Sequence, residues 1–212
     1  MRNDLLIQRP DAATAAAPQL LLLFHGVGSS AEDLRPLGEA LATLQPQAFV
    51  VSVRSPQASD FGQGWQWFSV QGVTEADRPA RVAAAMPHFI DTVRAWQRES
   101  GIGPRATTLI GFSQGAIMAL ESTQQPQAIA ARVIALAGRF AQPPRVASPH
   151  VALHLLHGEQ DRVMPPAHAA DAATQWRALG SEATLDLFAG LGHGIDARVV
   201  HRLAEYLGTS TP

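Results

Sequence analysis

The sequence contains no cysteine, which excludes disulfides, thiolate metal sites and a cysteine nucleophile. Charge is also sparse. Only 16% of the residues are charged, the net charge is −2, and no basic run of the kind used to bind nucleic acid is present. The apolar run Leu20–Phe24 is far too short to span a bilayer. We therefore expect neither a nucleic-acid partner nor stable membrane insertion.

The N-terminal residues do not have the pattern of a signal peptide. Arg9 and Asp11 interrupt the short apolar stretch that follows Met1, and the alanine-rich piece ending at Ala17 has no continuous hydrophobic region before it. The absence of cysteine is compatible with any compartment. The default expectation is a cytoplasmic protein.

Apolar residues make up 46% of the 212 positions, enough for one domain, over residues 1–212, with a substantial core. Apolar runs of strand length alternate with helix-length stretches, and several runs are apolar on both faces. This pattern predicts an α/β fold with a mostly parallel central sheet covered by helices. The predicted strands are Leu20–Phe24, Ala48–Val53, Thr107–Ile110, Arg132–Leu136, Val151–Leu156 and Thr184–Phe188, with Leu5–Gln8 at an edge. The predicted helices are Ala31–Leu44, Asp77–Glu99, Gln114–Gln124, Ala167–Leu179 and Ile195–Leu207.

Three local features refine this prediction. Ser29 and Glu32 have the spacing of a capping box at the start of the first helix. Pro87 interrupts the second helix, so we expect a kink or two shorter pieces there. The segment Arg54–Ala76 is long and has no clear period, which in a compact domain indicates a functional loop.

Residues 111–115 read Gly-Phe-Ser-Gln-Gly and lie between a predicted strand and a predicted helix. A Gly-x-Ser-x-Gly in that context is typical of a nucleophile elbow, which projects the serine hydroxyl from the tip of the sheet. The positions that flank the serine crowd against the turn, so only a very small residue fits there, and Gly111 and Gly115 satisfy this requirement. The alternative, an ordinary turn serine, does not account for the context of Ser113.

Ligands of open parallel sheets bind beyond the carboxyl ends of the strands, and three reactive side chains follow predicted strands there. They are Ser113, Asp161 and His193, in the chain order of an α/β-hydrolase. His193 would take the hydroxyl proton from Ser113, and Asp161 would orient the imidazole and stabilise its charged form. Asp186, within a strand, and Asp196, after the histidine, fit that order less well.

Acyl transfer also needs donors for a developing oxyanion. The turn from His25 to Gly28 joins an early strand to the first helix, and its glycines let the backbone aim N–H groups toward the site. The natural pair of donors is the N–H of Val27 and that of Gln114, which also begins a helix whose dipole favours negative charge.

The other histidines have structural interpretations. His25 lies in the oxyanion turn and is expected to order it. His154 and His157 lie three apart on a strand and face opposite sides, which disfavours a shared metal. We interpret the remaining four as surface or packing residues: His88, His150, His168 and His201.

The aromatic residues of the long loop have two interpretations of similar weight. Trp65, Trp67 and Phe68 could pack the loop onto the body of the protein, or they could line an apolar acyl pocket of the kind found in binding clefts.

The motifs together resemble the small bacterial serine esterases of the phospholipase/carboxylesterase group, relatives of the acyl-protein thioesterases and of dienelactone hydrolase. They are Phe24-His25-Gly26-Val27-Gly28, Trp67-Phe68, the Ser113 elbow, His157-Gly158 leading to Asp161-Arg162-Val163-Met164-Pro165, and Gly192-His193. The resemblance implies an α/β-hydrolase fold without a large cap domain, the triad and oxyanion donors named above, and hydrolysis that needs no metal or other cofactor. Arg162 and Met164 stand where many relatives have smaller or apolar residues, which implies an altered pocket in which Met164 contacts substrate. The serine at 113, where dienelactone hydrolases use cysteine, argues against their lactone specificity.

We thus expect a serine carboxylesterase that acts on short- to medium-chain acyl esters, with thioesters and lysophospholipids as further candidates. The expected partner is a small-molecule or lipid-like acyl ester. An apolar rim would be compatible with a homodimer or with lipid contact. The alternatives are a catalytically silent binding module and a non-hydrolytic acyl-transfer enzyme on the same fold.

Overall fold

The structure is a computed structural model that describes residues 3–11 and 18–208. The domain predicted from the sequence also covers residues 1–2, 12–17 and 209–212, which lie outside the described residues. The strands are β1 Leu5–Gln8, β2 Gln19–Phe24, β3 Ala48–Val53, β4 Gln57–Ala58, β5 Trp65–Gln66, β6 Thr107–Phe112, β7 Arg132–Leu136, β8 Ala152–Gly158 and β9 Ala183–Phe188. The α-helices are α1 Arg35–Leu44, α2 Arg78–Ser100, α3 Gln114–Ser122, α4 Ala167–Ala178 and α5 Ala197–Gly208.

The main sheet has seven strands in the order β1-β3-β2-β6-β7-β8-β9. Only β1 pairs antiparallel, at one edge, and the other six strands are parallel. Strands β4 and β5 form a separate two-stranded ribbon in the long loop. The predicted α/β-hydrolase fold, with a mostly parallel sheet, is therefore confirmed.

The central strand β2 explains why the sheet is covered on both faces. Leu20, Leu22 and Phe24 pack in a cluster with residues of α2, α3 and α4, whereas Leu21 and Leu23 pack in a second cluster with α1 and α5. Successive side chains of a strand point to opposite faces, so an uninterrupted apolar run must be buried from both sides. Because the strands from β2 to β9 in this sheet run parallel, the candidate site residues that follow them lie at the same edge of the sheet.

The start of the first helix differs from the prediction. A 3₁₀ turn, Glu32–Leu34, precedes α1, and the capping box of Ser29 is wrong. Instead, Asp33 Oδ2 accepts hydrogen bonds from Ser29 Oγ at 2.9 Å and from the Ser30 N–H at 2.8 Å. Asp33 lies three residues after Ser30, the spacing at which an acidic side chain reaches back to the N–H at the start of a helical turn.

Pro87 does not divide the second helix, which runs unbroken from Arg78 to Ser100. Of the two predicted alternatives, two shorter pieces is wrong, and a kink at Pro87 stays a prediction. Pro87 and Ala83, the residue whose carbonyl loses its helical partner, both lie on the exposed side of α2. Water can hydrate that carbonyl, which lowers the cost of a proline inside a helix.

Within residues 3–11 and 18–208, no helix has both the length and the apolar composition to cross a membrane.

Candidate active site

Ser113 lies in a strained turn between β6 and α3. Its φ of 54° and ψ of −114° fall outside the regions that residues with a side chain usually adopt. The two glycines of the motif allow this turn. A methyl group at Gly115 would lie 2.1 Å from the Phe24 carbonyl oxygen, and one at Gly111 would lie 2.4 Å from the Gly115 carbonyl oxygen. The turn therefore requires glycine at both flanking positions.

The imidazole of His193 bridges the other two predicted residues. Its Nε2 lies 3.0 Å from Ser113 Oγ and its Nδ1 lies 2.7 Å from Asp161 Oδ2. A neutral ring with its hydrogen on Nδ1 satisfies both contacts, since Nδ1–H then donates to the carboxylate and the serine hydroxyl donates to Nε2. The Phe112 ring packs against the imidazole with 5.0 Å between centroids. The structure thus brings Ser113, Asp161 and His193 together.

Asp161 lies in a turn just after β8, and its side chain is completely buried. Its Oδ1 accepts hydrogen bonds from the N–H groups of Val163 at 2.9 Å and Met164 at 2.8 Å. Burial by itself raises the pKa of the Asp161 carboxyl, but the Met164 N–H and the His193 imidazole outweigh it, so the pKa lies below its ordinary value. The carboxylate therefore stays charged beside the imidazole.

The turn from His25 to Ser29 packs directly on the elbow, since a methyl group at Gly26 would lie 3.2 Å from Ser113 Cβ. The Gly28 N–H donates to the Trp65 carbonyl and the Ser29 N–H donates to the Gly26 carbonyl. In the described part of the chain, the N–H groups of Val27 and Gln114 have no protein acceptor. These two groups remain the predicted oxyanion donors.

His25 is buried and supports this turn through its two ring nitrogens. Its Nδ1 lies 2.7 Å from the Gly26 carbonyl oxygen, and its Nε2 accepts a hydrogen bond from the Ser55 N–H. Burial lowers the pKa of His25, so the ring stays neutral and can accept at Nε2. This arrangement agrees with the interpretation that His25 orders the turn.

The aromatic residues of the loop do not share one role. Trp67 and Phe68 are only 2% and 3% exposed, and the Trp67 ring packs in the core against Phe24 and Phe89. The packing interpretation describes these two rings, which offer almost no surface to a substrate. Trp65 is half-buried, and the guanidinium of Arg54 lies 3.9 Å from its ring centroid.

Met164, the remaining predicted substrate contact, is partly buried and packs against the larger apolar cluster. Its backbone serves the site more directly than its side chain does, through the N–H that binds Asp161 and the carbonyl that lies 2.7 Å from His157 Nε2. Its contact with substrate stays a prediction.

Sequence reasoning assigned no role to two exposed apolar side chains in the loops around the site. Phe61 is 69% exposed, and its ring lies 3.7 Å from the position of a methyl group built on Gly28, next to Val27. Val163 is 71% exposed and lies in the Asp161 turn. Neither residue belongs to a periodic pattern, so only their position within predicted site loops could have drawn attention to them.

A large cavity lies away from these residues. It measures about 960 Å³ and is lined by residues such as Gly103 and Ala131, which precede β6 and β7. Ser113 follows the opposite end of β6. Size alone often identifies a ligand site, but in parallel sheets the carboxyl ends of the strands are the better guide.

Comparison with known proteins identifies the family of the chain. A family model described as phospholipase/carboxylesterase matches residues 6–211. The chain is 47% identical over 213 residues to the esterase YpfH of Escherichia coli K12, covering 100% of this chain and 90% of that one. Its fold is similar to that of the esterase PE8, with a TM-score of 0.83, 29% identity, and coverage of 97% of this chain and 96% of the other. A Bacillus cereus carboxylesterase has a TM-score of 0.80 at 17% identity, covering 98% and 93%, which is a likeness of fold.

Proposed function

Since the chain is a hydrolase that belongs to the phospholipase/carboxylesterase family, we propose that it is a serine carboxylesterase whose catalytic residues are Ser113, His193 and Asp161. The substrate class is an acyl ester with a short- to medium-length acyl chain, and the reaction passes through an acyl-enzyme. The observation that carries this proposal is the single imidazole that contacts the Ser113 hydroxyl on one side and the Asp161 carboxylate on the other.

The first half of the reaction forms the acyl-enzyme. Ser113 Oγ attacks the ester carbonyl carbon while its proton passes to His193 Nε2. The carbonyl oxygen becomes negatively charged and accepts hydrogen bonds from the N–H groups of Val27 and Gln114. The carbon–oxygen bond to the alcohol then breaks, and the alcohol leaves with the proton held by His193. Asp161 stays ionised and stabilises the imidazolium.

Water completes the cycle by the same steps. The free imidazole of His193 takes a proton from water, whose oxygen attacks the acyl carbon. When the tetrahedral species collapses, Ser113 Oγ leaves and recovers its proton from His193, and the carboxylic acid is released. The low pKa of Asp161 supports its role, because the residue keeps its charge at neutral pH.

The preference for a short to medium acyl chain is supported by the surroundings of the site. Phe61 presents exposed apolar surface beside the Gly28 turn, and Val163 presents it in the Asp161 turn. Apolar contact with these two side chains favours acyl chains that extend a few methylenes from the carbonyl. Thioesters and lysophospholipids meet the same chemical requirements and are the next substrates to compare.

Ser113→Ala tests the proposal with p-nitrophenyl esters from acetate to decanoate. We expect the variant to lose at least ~10⁴-fold in kcat, the scale of losing a catalytic triad member. Ser148→Ala, which changes a serine far from the site, should keep full activity. A fluorophosphonate probe should label the wild type and Ser148→Ala but not Ser113→Ala, since only an activated serine reacts.

Three results would contradict the proposal. Near-full activity of Ser113→Ala would exclude this serine as nucleophile. A wild type that the probe does not label and that hydrolyses no ester would favour the silent binding module. A wild type that transfers the acyl group to an added alcohol but not to water would favour the non-hydrolytic acyl transferase.

A further inference from the structure

A second histidine contacts the aspartate of the proposed triad. His157 lies on β8, is 1% exposed, and has its Nε2 3.2 Å from Asp161 Oδ2, the same oxygen that His193 Nδ1 approaches at 2.7 Å. The carboxylate oxygen is thus flanked by two imidazoles. Only His193 also reaches the serine.

The hydrogen-bonding partner of His157 fixes its tautomer. Its Nε2 lies 2.7 Å from the Met164 carbonyl oxygen, which can only accept, so Nε2 carries a hydrogen. The Met164 N–H in turn donates to Asp161 Oδ1 at 2.8 Å. One residue of the turn is therefore held at both its carbonyl and its N–H, the first by His157 and the second by the carboxylate itself.

This contact connects a rigid element to a loop. His157 belongs to a strand paired on both sides, by β7 and by β9, whereas Asp161 lies in the turn that follows it. A carboxylate on a turn can orient His193 only if the turn keeps its shape, and a buried hydrogen bond from the sheet restrains that shape.

A packing role alone does not explain a histidine here. Within the described residues, His157 Nδ1 is buried and has no hydrogen-bond partner. An unpaired buried nitrogen is unfavourable, and an apolar side chain of similar size would avoid it. The histidine supplies an Nε2–H donor that points at the Asp161 turn, and an apolar residue cannot supply one.

We propose that His157 is a positioning residue: its Nε2–H holds the Met164 carbonyl and faces Asp161 Oδ2, and so keeps the carboxylate aligned with His193. This inference rests on the proposed function of the triad. His157 neither contacts substrate nor transfers a proton. Its effect should appear in kcat, because a misaligned His193 slows the proton transfers and leaves ester binding unchanged.

The test compares His157→Leu, His157→Asn and His157→Gln. Glutamine can place its amide N–H near the position of Nε2, whereas asparagine is too short and leucine has no donor. We expect His157→Leu and His157→Asn to lower kcat on p-nitrophenyl acetate about 10- to 100-fold, the effect of losing one hydrogen bond in a charged network, with KM unchanged within about twofold. His157→Gln should stay within about threefold of the wild type, because it keeps the donor.

His154→Leu is the matched control. His154 also lies on β8, is buried, and has one ring nitrogen without a partner among the described residues, but it faces the opposite side of the sheet, against Tyr206. The His154→Leu variant should lose a similar amount of thermal stability and keep its kcat. If the leucine variant fails to fold, His157→Asn provides a second variant, since its shorter amide cannot reach the Met164 carbonyl.

The outcomes separate the two proposals. Equal kcat in His157→Leu, His157→Asn and His154→Leu would overturn the positioning role. A His157→Gln variant as impaired as His157→Leu would overturn it too. In both cases Ser113→Ala would remain inactive and the proposed function would stand. An active Ser113→Ala would instead overturn the proposed function and the positioning role with it.

Discussion

The Trp67 backbone N–H donates a hydrogen bond of 2.8 Å to the side-chain oxygen of Gln114, across 47 positions of the sequence. The nitrogen of the same amide donates to the Phe68 carbonyl at 2.7 Å, and the Trp67 indole donates to the His25 carbonyl. These bonds fix a segment of the long loop to the two walls of the proposed oxyanion site. One wall is the turn at His25, and the other is the start of α3.

Gln114→Leu removes these two side-chain hydrogen bonds and keeps the backbone N–H that is proposed to bind the oxyanion. We expect the free energy of unfolding to fall by about 2 kcal/mol and kcat to fall about tenfold, because the two walls lose their common restraint. Chemical denaturation and ester hydrolysis measure the two effects. Gln97→Leu is the control, since Gln97 also donates two hydrogen bonds, to Thr107 and Ile129, away from the site. Equal kcat values in the two variants would refute this restraint.

Gly115→Ala tests the close approach at the elbow. The added methyl group would meet the Phe24 carbonyl oxygen at 2.1 Å and the His25 carbonyl oxygen at 2.8 Å, both parts of a buried backbone that cannot move aside. We expect a loss of about 2 to 3 kcal/mol in stability together with most of the esterase activity. Gly103→Ala should be neutral, because its φ is −83° and no atom lies within 4 Å of the added carbon. A Gly115→Ala variant with wild-type melting temperature and rate would contradict the turn geometry.

Asp60 organises the loop that carries Phe61. Its Oδ2 accepts hydrogen bonds from Ser69 Oγ, the Val70 N–H and the Gln71 N–H, and its Oδ1 accepts one from the Gln66 side chain. The bonds from Gln66 and Ser69 lower the pKa of Asp60 to about 2. Because the pKa of Asp60 is lower in the folded protein than in the unfolded chain, its hydrogen bonds stabilise the loop fully above the unfolded pKa. This stabilisation is lost only as the pH falls toward 2.

Asp60→Ala should therefore loosen residues 59–71 at neutral pH. We expect faster amide hydrogen exchange there and a lower kcat/KM on longer acyl esters, because Phe61 is no longer held beside the oxyanion turn. Asp91→Ala, an exposed change on α2, serves as control. Unchanged exchange in the loop would mean that Asp60 does not hold it.

The shifted pKa of His154 should make the free energy of unfolding depend on pH. Burial, followed by the charges of Arg132 and Arg202, lowers its pKa to about 4, although Asp186 opposes the shift. In the unfolded chain His154 takes up a proton near pH 6.5, whereas in the folded protein it does so only near pH 4. The neutral His154 therefore contributes its full share to the free energy of unfolding above pH 6.5, and that share is lost as the pH falls from 6.5 to 4. The loss should reach about 3 kcal/mol. Denaturation curves of the wild type and His154→Gln should converge toward acid pH, and parallel curves would contradict the prediction.

The sequence was most informative where the structural requirement is local. The alternation of apolar runs predicted the mostly parallel sheet because each run by itself reveals which faces it must bury. The Gly-Phe-Ser-Gln-Gly turn predicted the geometry around Ser113 because its constraint lies within five residues. The same kind of local reasoning failed at Ser29, where the carboxylate that accepts the hydrogen bond is Asp33, one position beyond the expected one.

Sequence alone determined which residue types stand at the strand ends, and in what order, since that order is written along the chain. Only the tertiary structure decided that Trp67 belongs to the core, that Phe61 is exposed beside Gly28, and that His157 faces the Asp161 carboxylate. Such contacts depend on the direction of side chains that leave different strands and loops, as for His193 and Ser113, 80 positions apart. Periodicity encodes which face a residue takes, but the partner that it meets there is set by the packing of the whole sheet and its helices.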